Sequence, residues 1–147
     1  MRACLQRVKE ASVSVDNKII GKIDNGLVIL LGVTHQDTIK DVEYLVNKIV
    51  NLRIFADESN KFNLSLLDIK GQALIISQFT LYGDCHKGRR PDFTQAAPPE
   101  LARELYIKFI ETMKQTNIKV AEGEFGAMML VDIHNDGPVT LVVGSRE

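Results

Sequence analysis

Asp24-Asn25-Gly26-Leu27-Val28-Ile29-Leu30-Leu31-Gly32-Val33 decides the fold. From Leu27 onward no polar side chain interrupts the run, which is the pattern of a strand covered on both faces rather than one that alternates between core and water. Such a strand belongs at the centre of a sheet. The Asp24-Asn25-Gly26 step ahead of it carries turn chemistry and predicts a tight reversal. On the N-terminal side, Arg2 to Val8 and Ala11 to Val15 nearly alternate apolar and polar residues, and Asp16-Asn17 supplies a turn before Lys18 to Ile23. These segments read as an antiparallel meander feeding the central strand.

On the C-terminal side the period changes. Val42, Leu45, Val46, Ile49 and Leu52 recur at steps of three and four, so residues 38–53 read as an amphipathic helix capped by Asp37 or Thr38. The stretch from Phe55 to Gly71 mixes Asp57, Ser59, Asn60, Asn63 and Asp68 with scattered apolar residues and reads as a long loop with at most short structured pieces. Ala73 to Ile76 is again a strand, and the pattern continues without a break through Ser77-Gln78-Phe79-Thr80-Leu81. After a second polar loop, Pro98-Pro99 opens a helix at its permitted first turn, with Leu101, Leu105, Phe109, Ile110 and Met113 along one face. Strands resume at 118–121, 128–133 and 139–143. The sum is one α+β domain over residues 1–147, with a curled, barrel-like antiparallel or mixed sheet and two main helices.

Bulk properties narrow the function classes. A chain of 147 residues with 45% hydrophobic content can bury a proper core without a second domain. No apolar run is long enough to span a bilayer, and polar residues come too early for a signal-peptide core, so the expected setting is cytoplasmic with no membrane partner. Cys4 and Cys85 lack the spacing of a zinc site or a disulfide framework. A net charge of -1 argues against a broad nucleic-acid surface but leaves room for a local one. Lys87-Gly88-Arg89-Arg90 is the candidate for that local footprint, suited to one or two phosphates; taken alone it reads first as a solvated loop kept soluble by charge.

Side-chain catalysis fares poorly on this sequence. A Ser or Thr nucleophile needs a base held by a third group, and His35, His86 and His134 are scattered with no partner in view. Neither metal-ligand spacing nor a glycine-rich phosphate loop is present, so no metal and no cofactor is called for. Two segments remain. Ser77-Gln78-Phe79-Thr80 ends a strand with amides that can stabilise an oxyanion without any titrating group. Asn135-Asp136-Gly137-Pro138-Val139-Thr140 can present a rigid backbone wall, since an X-Pro bond can be cis at modest cost and glycine permits close approach. Taken singly, the first is an ordinary strand with Phe79 in the core, and the second an ordinary turn between two strands.

Together the two segments resemble the paired motifs of the D-aminoacyl-tRNA deacylases. The likeness extends through Leu5-Gln6-Arg7-Val8, Arg53-Ile54-Phe55, Asn63-Leu64 and Gly88-Arg89-Arg90-Pro91-Asp92-Phe93, over essentially the whole chain. The resemblance implies a homodimer of barrel-like domains that hydrolyses the ester between a D-amino acid and the 3′ end of tRNA. It places the Gly137 and Pro138 carbonyls, on a cis bond, in the partner's active site, where they hold the substrate ammonium and exclude an L side chain. It gives the Phe79 amide, helped by Thr80, as oxyanion donor, with the ribose 2′-hydroxyl assisting and Ser77 and Gln78 lining the adenosine end. Phe125 and Met129 match pocket walls, Arg7 braces the Gly-Pro element, and Lys87, Arg89 and Arg90 hold acceptor-stem phosphates. Val139 and Arg7 favour the D-selective branch over relatives that accept L-alanine, and glycine is expected to be hydrolysed too. Two alternatives stand beside it: Thr80 as a nucleophile, and a nucleic-acid-binding module without catalysis.

Overall fold

Strand β1 (Arg2–Val15) is the spine of the computed structural model, which describes residues 1–146. Asp16 and Asn17, both at positive φ, turn it into β2 (Lys18–Ile23), with Val15 facing Lys18. Two consecutive left-handed residues match the twist of a tight hairpin, and Asn and Asp tolerate that region best after glycine. β3 (Gly26–Gly32) then pairs antiparallel with the other half of β1, from Val8↔Gly26 to Arg2↔Gly32.

This register overturns the expected reversal at Asp24-Asn25-Gly26. β2 and β3 both run antiparallel to β1, so the chain keeps its direction through the step: the antiparallel β1–β2 hairpin is as expected, but β3 joins the other half of β1 instead of reversing onto β2. Gly26 is required there by close approach rather than by a turn: a Cβ would fall 1.9 Å from the Gln72 carbonyl oxygen.

Helix α1 (Ile39–Asn51) starts at Thr38, whose amide donates to the Asp41 carboxylate at 2.8 Å. The expected loop 55–71 contains a small hairpin, β4 (Phe55–Ala56) and β5 (Phe62–Leu64). β6 (Gln72–Ser77) pairs parallel with β3, and β7 (Lys119–Glu122) pairs parallel with β6 after α2 (Pro99–Lys114). The sheet is therefore mixed. It curls until β7 nears β2, where a Cβ on Gly21 would sit 2.9 Å from the Glu122 carbonyl oxygen.

β3 is covered on both faces, as its composition requires. Leu27, Ile29 and Leu31 pack with Val42, Leu45, Ile49, Leu105 and Phe109 beneath the helices, while Val28 joins Val8, Val13, Ile23, Leu74 and Ile76 inside the curl. Fully burying each such side chain stabilises by about 1.5–3 kcal/mol before entropy is counted.

Two further expectations change. The strand through Phe79 ends at Ser77, and Phe79–Tyr82 is a 3₁₀ turn. Strands 128–133 and 139–143 are one, β8 (Leu130–Gly144), antiparallel to β1 throughout. Among the described residues, no helix is long and apolar enough to cross a membrane.

Candidate active site

The break at Ser77 has a physical cause. Gln78 N still donates to Leu31 O at 2.8 Å, but the next bonds are those of a tight turn, Leu81 N to Gln78 O at 3.3 Å and Gly83 N to Thr80 O at 3.0 Å. The first amides of a helical turn have no partner within it. Those of Phe79 and Thr80 donate to no acceptor among the described residues. Phe79 itself is 55% exposed instead of in the core, with its ring edge-on to Phe93 at 5.1 Å.

These residues bound a cavity of about 850 Å³. Ser77, Gln78 and Phe79 form one wall and Phe125, Met128 and Met129 another, with His35 and Phe93 at its sides. Phe125 is held from behind by Tyr106 of α2, whose ring lies 5.9 Å away and whose hydroxyl donates to Ile75 O at 2.8 Å. Burial pushes the Tyr106 phenol well above its ordinary range, so it stays neutral and keeps donating. Met128, by contrast, is 92% exposed.

Thr80 does not line the cavity. Its hydroxyl pairs with Gln78 Nε2, an arrangement in which the hydroxyl oxygen accepts, and no carboxylate or imidazole bonds to it among the described residues. Gln78 thus supplies what the sequence does not reveal, a fixed partner for Thr80 that is not a base.

The Gly-Pro segment is no turn between strands. Gln6 faces Thr140 and Val8 faces Asn135, so Arg7 alone stands against residues 136–139 in a wide bulge within β8. Asn135 and Thr140 close its neck: Asn135 Nδ2 donates to Thr140 Oγ1 at 2.9 Å, and Val139 N donates to Asn135 Oδ1 at 3.2 Å. That accounts for Asn and Thr at those two positions of the motif. The Gly137-Pro138 bond is cis and Gly137 has φ +128°.

Arg7 fills the opposite side, its side chain 11% exposed. Its Nε donates to Asp136 O at 3.1 Å and its Nη1 to Ile54 O at 2.7 Å. Gly137 and Pro138 are exposed, and neither lines the cavity of its own chain. Lys87, Arg89 and Arg90 are exposed on a loop whose ends pair through Asp84 N to Asp92 O at 2.7 Å and Asp92 N to Asp84 O at 2.9 Å. Phe93, next in the chain, carries that loop to the cavity wall. Phe93, His35 and Met128 are cavity residues missed in the sequence; only Phe93 lay in a stretch that already carried the family likeness.

A single barrel-like domain with an open cavity, unengaged amides at its rim and a braced Gly-Pro bulge defines the class. Residues 4–144 match the family described as D-Tyr-tRNA(Tyr) deacylase, and the chain belongs to it. It is 60% identical over 147 residues to a D-aminoacyl-tRNA deacylase of Fusobacterium nucleatum, covering 100% of this chain and 97% of that one. A D-aminoacyl-tRNA deacylase of Thermosipho africanus is 58% identical, covering 100% and 99%. Among solved structures, one described as "c-Myc DNA Unwinding Element Binding Protein" superposes with TM-score 0.94 at 43% identity, over 100% of both chains. A probable eukaryotic D-amino acid tRNA deacylase shares the fold, with TM-score 0.85 at 20% identity over 97% of each chain.

Proposed function

We propose that the chain hydrolyses the ester of D-aminoacyl-tRNA, releasing the D-amino acid and tRNA, and that glycyl esters are cleaved as well. The observation that carries this reading is the pair of amides, Phe79 and Thr80, left without acceptors among the described residues, beside a cavity in whose lining no hydrogen bond joins Ser77 to His35, the His35 Nε2 lying 2.8 Å from Thr94 O. Water attacks the ester carbonyl, negative charge gathers on its oxygen, and the Phe79 amide, helped by that of Thr80, donates to it. The ribose oxygen then leaves with a proton, and the neighbouring 2′-hydroxyl supplies the acid–base assistance.

Selection of the D configuration is assigned to Gly137 and Pro138 of a second subunit. Their exposure, and the bracing by Arg7 that fixes them while they touch nothing in their own cavity, support a twofold dimer in which each bulge enters the partner's site. Exposed Met128 beside the cavity and Leu130 and Val142 along β8 are apolar surface such a contact would cover. The two carbonyls take the ammonium, and the backbone fills the volume an L side chain needs, so rejection works by exclusion and D side chains are broadly tolerated. Ser77 and Gln78 face the terminal adenosine, Phe125 and Met129 form the wall, and Lys87, Arg89 and Arg90 hold phosphates of the acceptor stem. The setting is the cytoplasm, where charged tRNA is found.

Purified protein incubated with D-tyrosyl-tRNA and L-tyrosyl-tRNA tests this. Fast release from the D ester alone is expected; equal or absent hydrolysis removes the reading. One observation favours a different outcome, the 43% identical structure named for DNA binding. Salt-sensitive nucleic-acid binding with no ester cleavage would establish a binding module instead.

A further inference from the structure

Phe62 is 57% exposed on β5, at a place where core packing gives no reason for an aromatic ring. Its ring lies 5.3 Å from the Arg7 guanidinium carbon, within the range at which a cation is attracted to an aromatic face. On its other sides Arg7 meets Ile54 O at 2.7 Å, Asp136 O at 3.1 Å and Asp136 Oδ2 at 3.4 Å. A Cβ placed on Gly137 would lie 3.0 Å from Arg7 Nη2. The guanidinium is therefore a filling between the small hairpin and the Gly-Pro bulge, and Ile54 and Phe62 reach it from that hairpin and the residue leading into it.

The hairpin is built to stand still. Asp57 Oδ1 accepts from the amides of Ser59 at 2.8 Å and Lys61 at 3.0 Å, Asp57 N donates to Lys61 O at 2.9 Å, and Asn63 Nδ2 reaches Asp57 Oδ2 at 3.2 Å. The Lys61 amide bonds hold the Asp57 carboxyl below its ordinary range, so the staple stays ionised at neutral pH. β4 and β5 form a two-stranded sheet of their own, apart from the barrel.

We infer that Phe62 is a positioning residue for chiral selection: its ring holds the Arg7 guanidinium against the bulge and so fixes where Gly137 and Pro138 stand. The inference rests on the proposed deacylase reading for its consequence, but the contact itself can be measured apart from activity. An orientation error of the clamp admits the wrong hand before it slows the right one, because exclusion by backbone fails steeply as the wall withdraws. Loss of Phe62 is thus a selectivity defect first.

The test uses the full chain with Phe62→Ala and Phe62→Tyr. Exchange of the Arg7 Nε proton, followed by ¹H–¹⁵N NMR, is expected to speed up severalfold in Phe62→Ala and to stay at the parent rate in Phe62→Tyr, which keeps the ring face. The ratio of kcat/KM for D-tyrosyl-tRNA over L-tyrosyl-tRNA is expected to fall about three- to tenfold in Phe62→Ala, the scale of a partly exposed cation–π contact, and to return in Phe62→Tyr. Unchanged exchange in Phe62→Ala overturns the claim that the ring holds Arg7. Unchanged ratio with faster exchange overturns the claim that the contact governs selection. A parent protein that does not distinguish the two esters removes the deacylase reading, and the exchange result then judges the contact alone.

Discussion

Replacing Gly137 by alanine tests the bulge most directly, because the surroundings of the added methyl are known. It would lie 2.9 Å from Val139 Cγ2, 3.0 Å from Arg7 Nη2 and 3.2 Å from Val139 N, at a residue with φ +128°. That backbone region is closed to L side chains, so alanine costs about 1–3 kcal/mol in conformation alone. Relief by moving Arg7 loosens its bonds to Asp136 O and Ile54 O, each contributing about 1 kcal/mol. The expected destabilisation is about 2–4 kcal/mol, a fall of about 5–15 °C in melting temperature for a chain of this size. Gly88→Ala is the control: φ is +70° there too, yet nothing lies within 4 Å of the added carbon. It should cost only about 1 kcal/mol. Hydrolysis of D-tyrosyl-tRNA should fall about 100-fold in Gly137→Ala, as for a positioning group displaced by an ångström. Equal thermal shifts for the two variants, or parent-like hydrolysis by Gly137→Ala, would refute the crowding argument.

Other perturbations probe separate parts. Thr80→Ala should retain D-ester hydrolysis within about threefold if the amides act, whereas a loss of about 1,000-fold or more in single-turnover rate would install Thr80 as nucleophile. Charge removal at Lys87, Arg89 and Arg90 together should raise KM for charged tRNA and flatten the plot of log kcat/KM against log salt, by a slope of about 0.7–0.9 for each phosphate that is no longer neutralised; an unaltered slope would leave the cluster a solvated loop. Burial favours a raised pKa for Asp41, but bonds from Arg146 (Nη2 at 2.8 Å), Ser145 (2.7 Å) and Thr38 outweigh it and hold the carboxyl well below the usual range. A depressed native pKa stabilises fully above the unfolded value of 3.8 and is lost as pH falls below it. Asp41→Asn should therefore melt lower at pH 7 and show a shallower decline as the pH falls below about 4; parallel curves would show that this carboxylate does not set the acid limit.

What the sequence made legible follows from what is local. The spacing of Val42, Leu45, Val46 and Ile49 reports a face, and the helix is there at Ile39–Asn51. The run from Leu27 reports burial on two faces, and both are filled. Direction is different. Asp24-Asn25-Gly26 and Asn135 to Thr140 both carry reversal chemistry, yet neither reverses the chain, because β1 is long enough to pair with both flanks of each. A shared partner elsewhere in the chain leaves no trace in either segment. The end of the strand at Ser77 was hidden for a similar reason, since Phe79 and Leu81 continue the apolar alternation while the backbone has already tightened. Within the site, the paired motifs pointed to the cavity wall and to the bulge. The hairpin behind Arg7 passed as loop, its role visible only when Ile54 and Phe62 are seen against the guanidinium.

The neck formed by Asn135 and Thr140 makes the four residues between them a detachable cassette. Register on either side is set by β1, so the insert could be shortened, lengthened or rewritten without asking the barrel to re-thread. Gly137→Ala is expected to lower the melting temperature, so altering the insert changes stability along with the selectivity proposed for it, and a redesign has to move the insert together with Arg7 while leaving the sheet register alone.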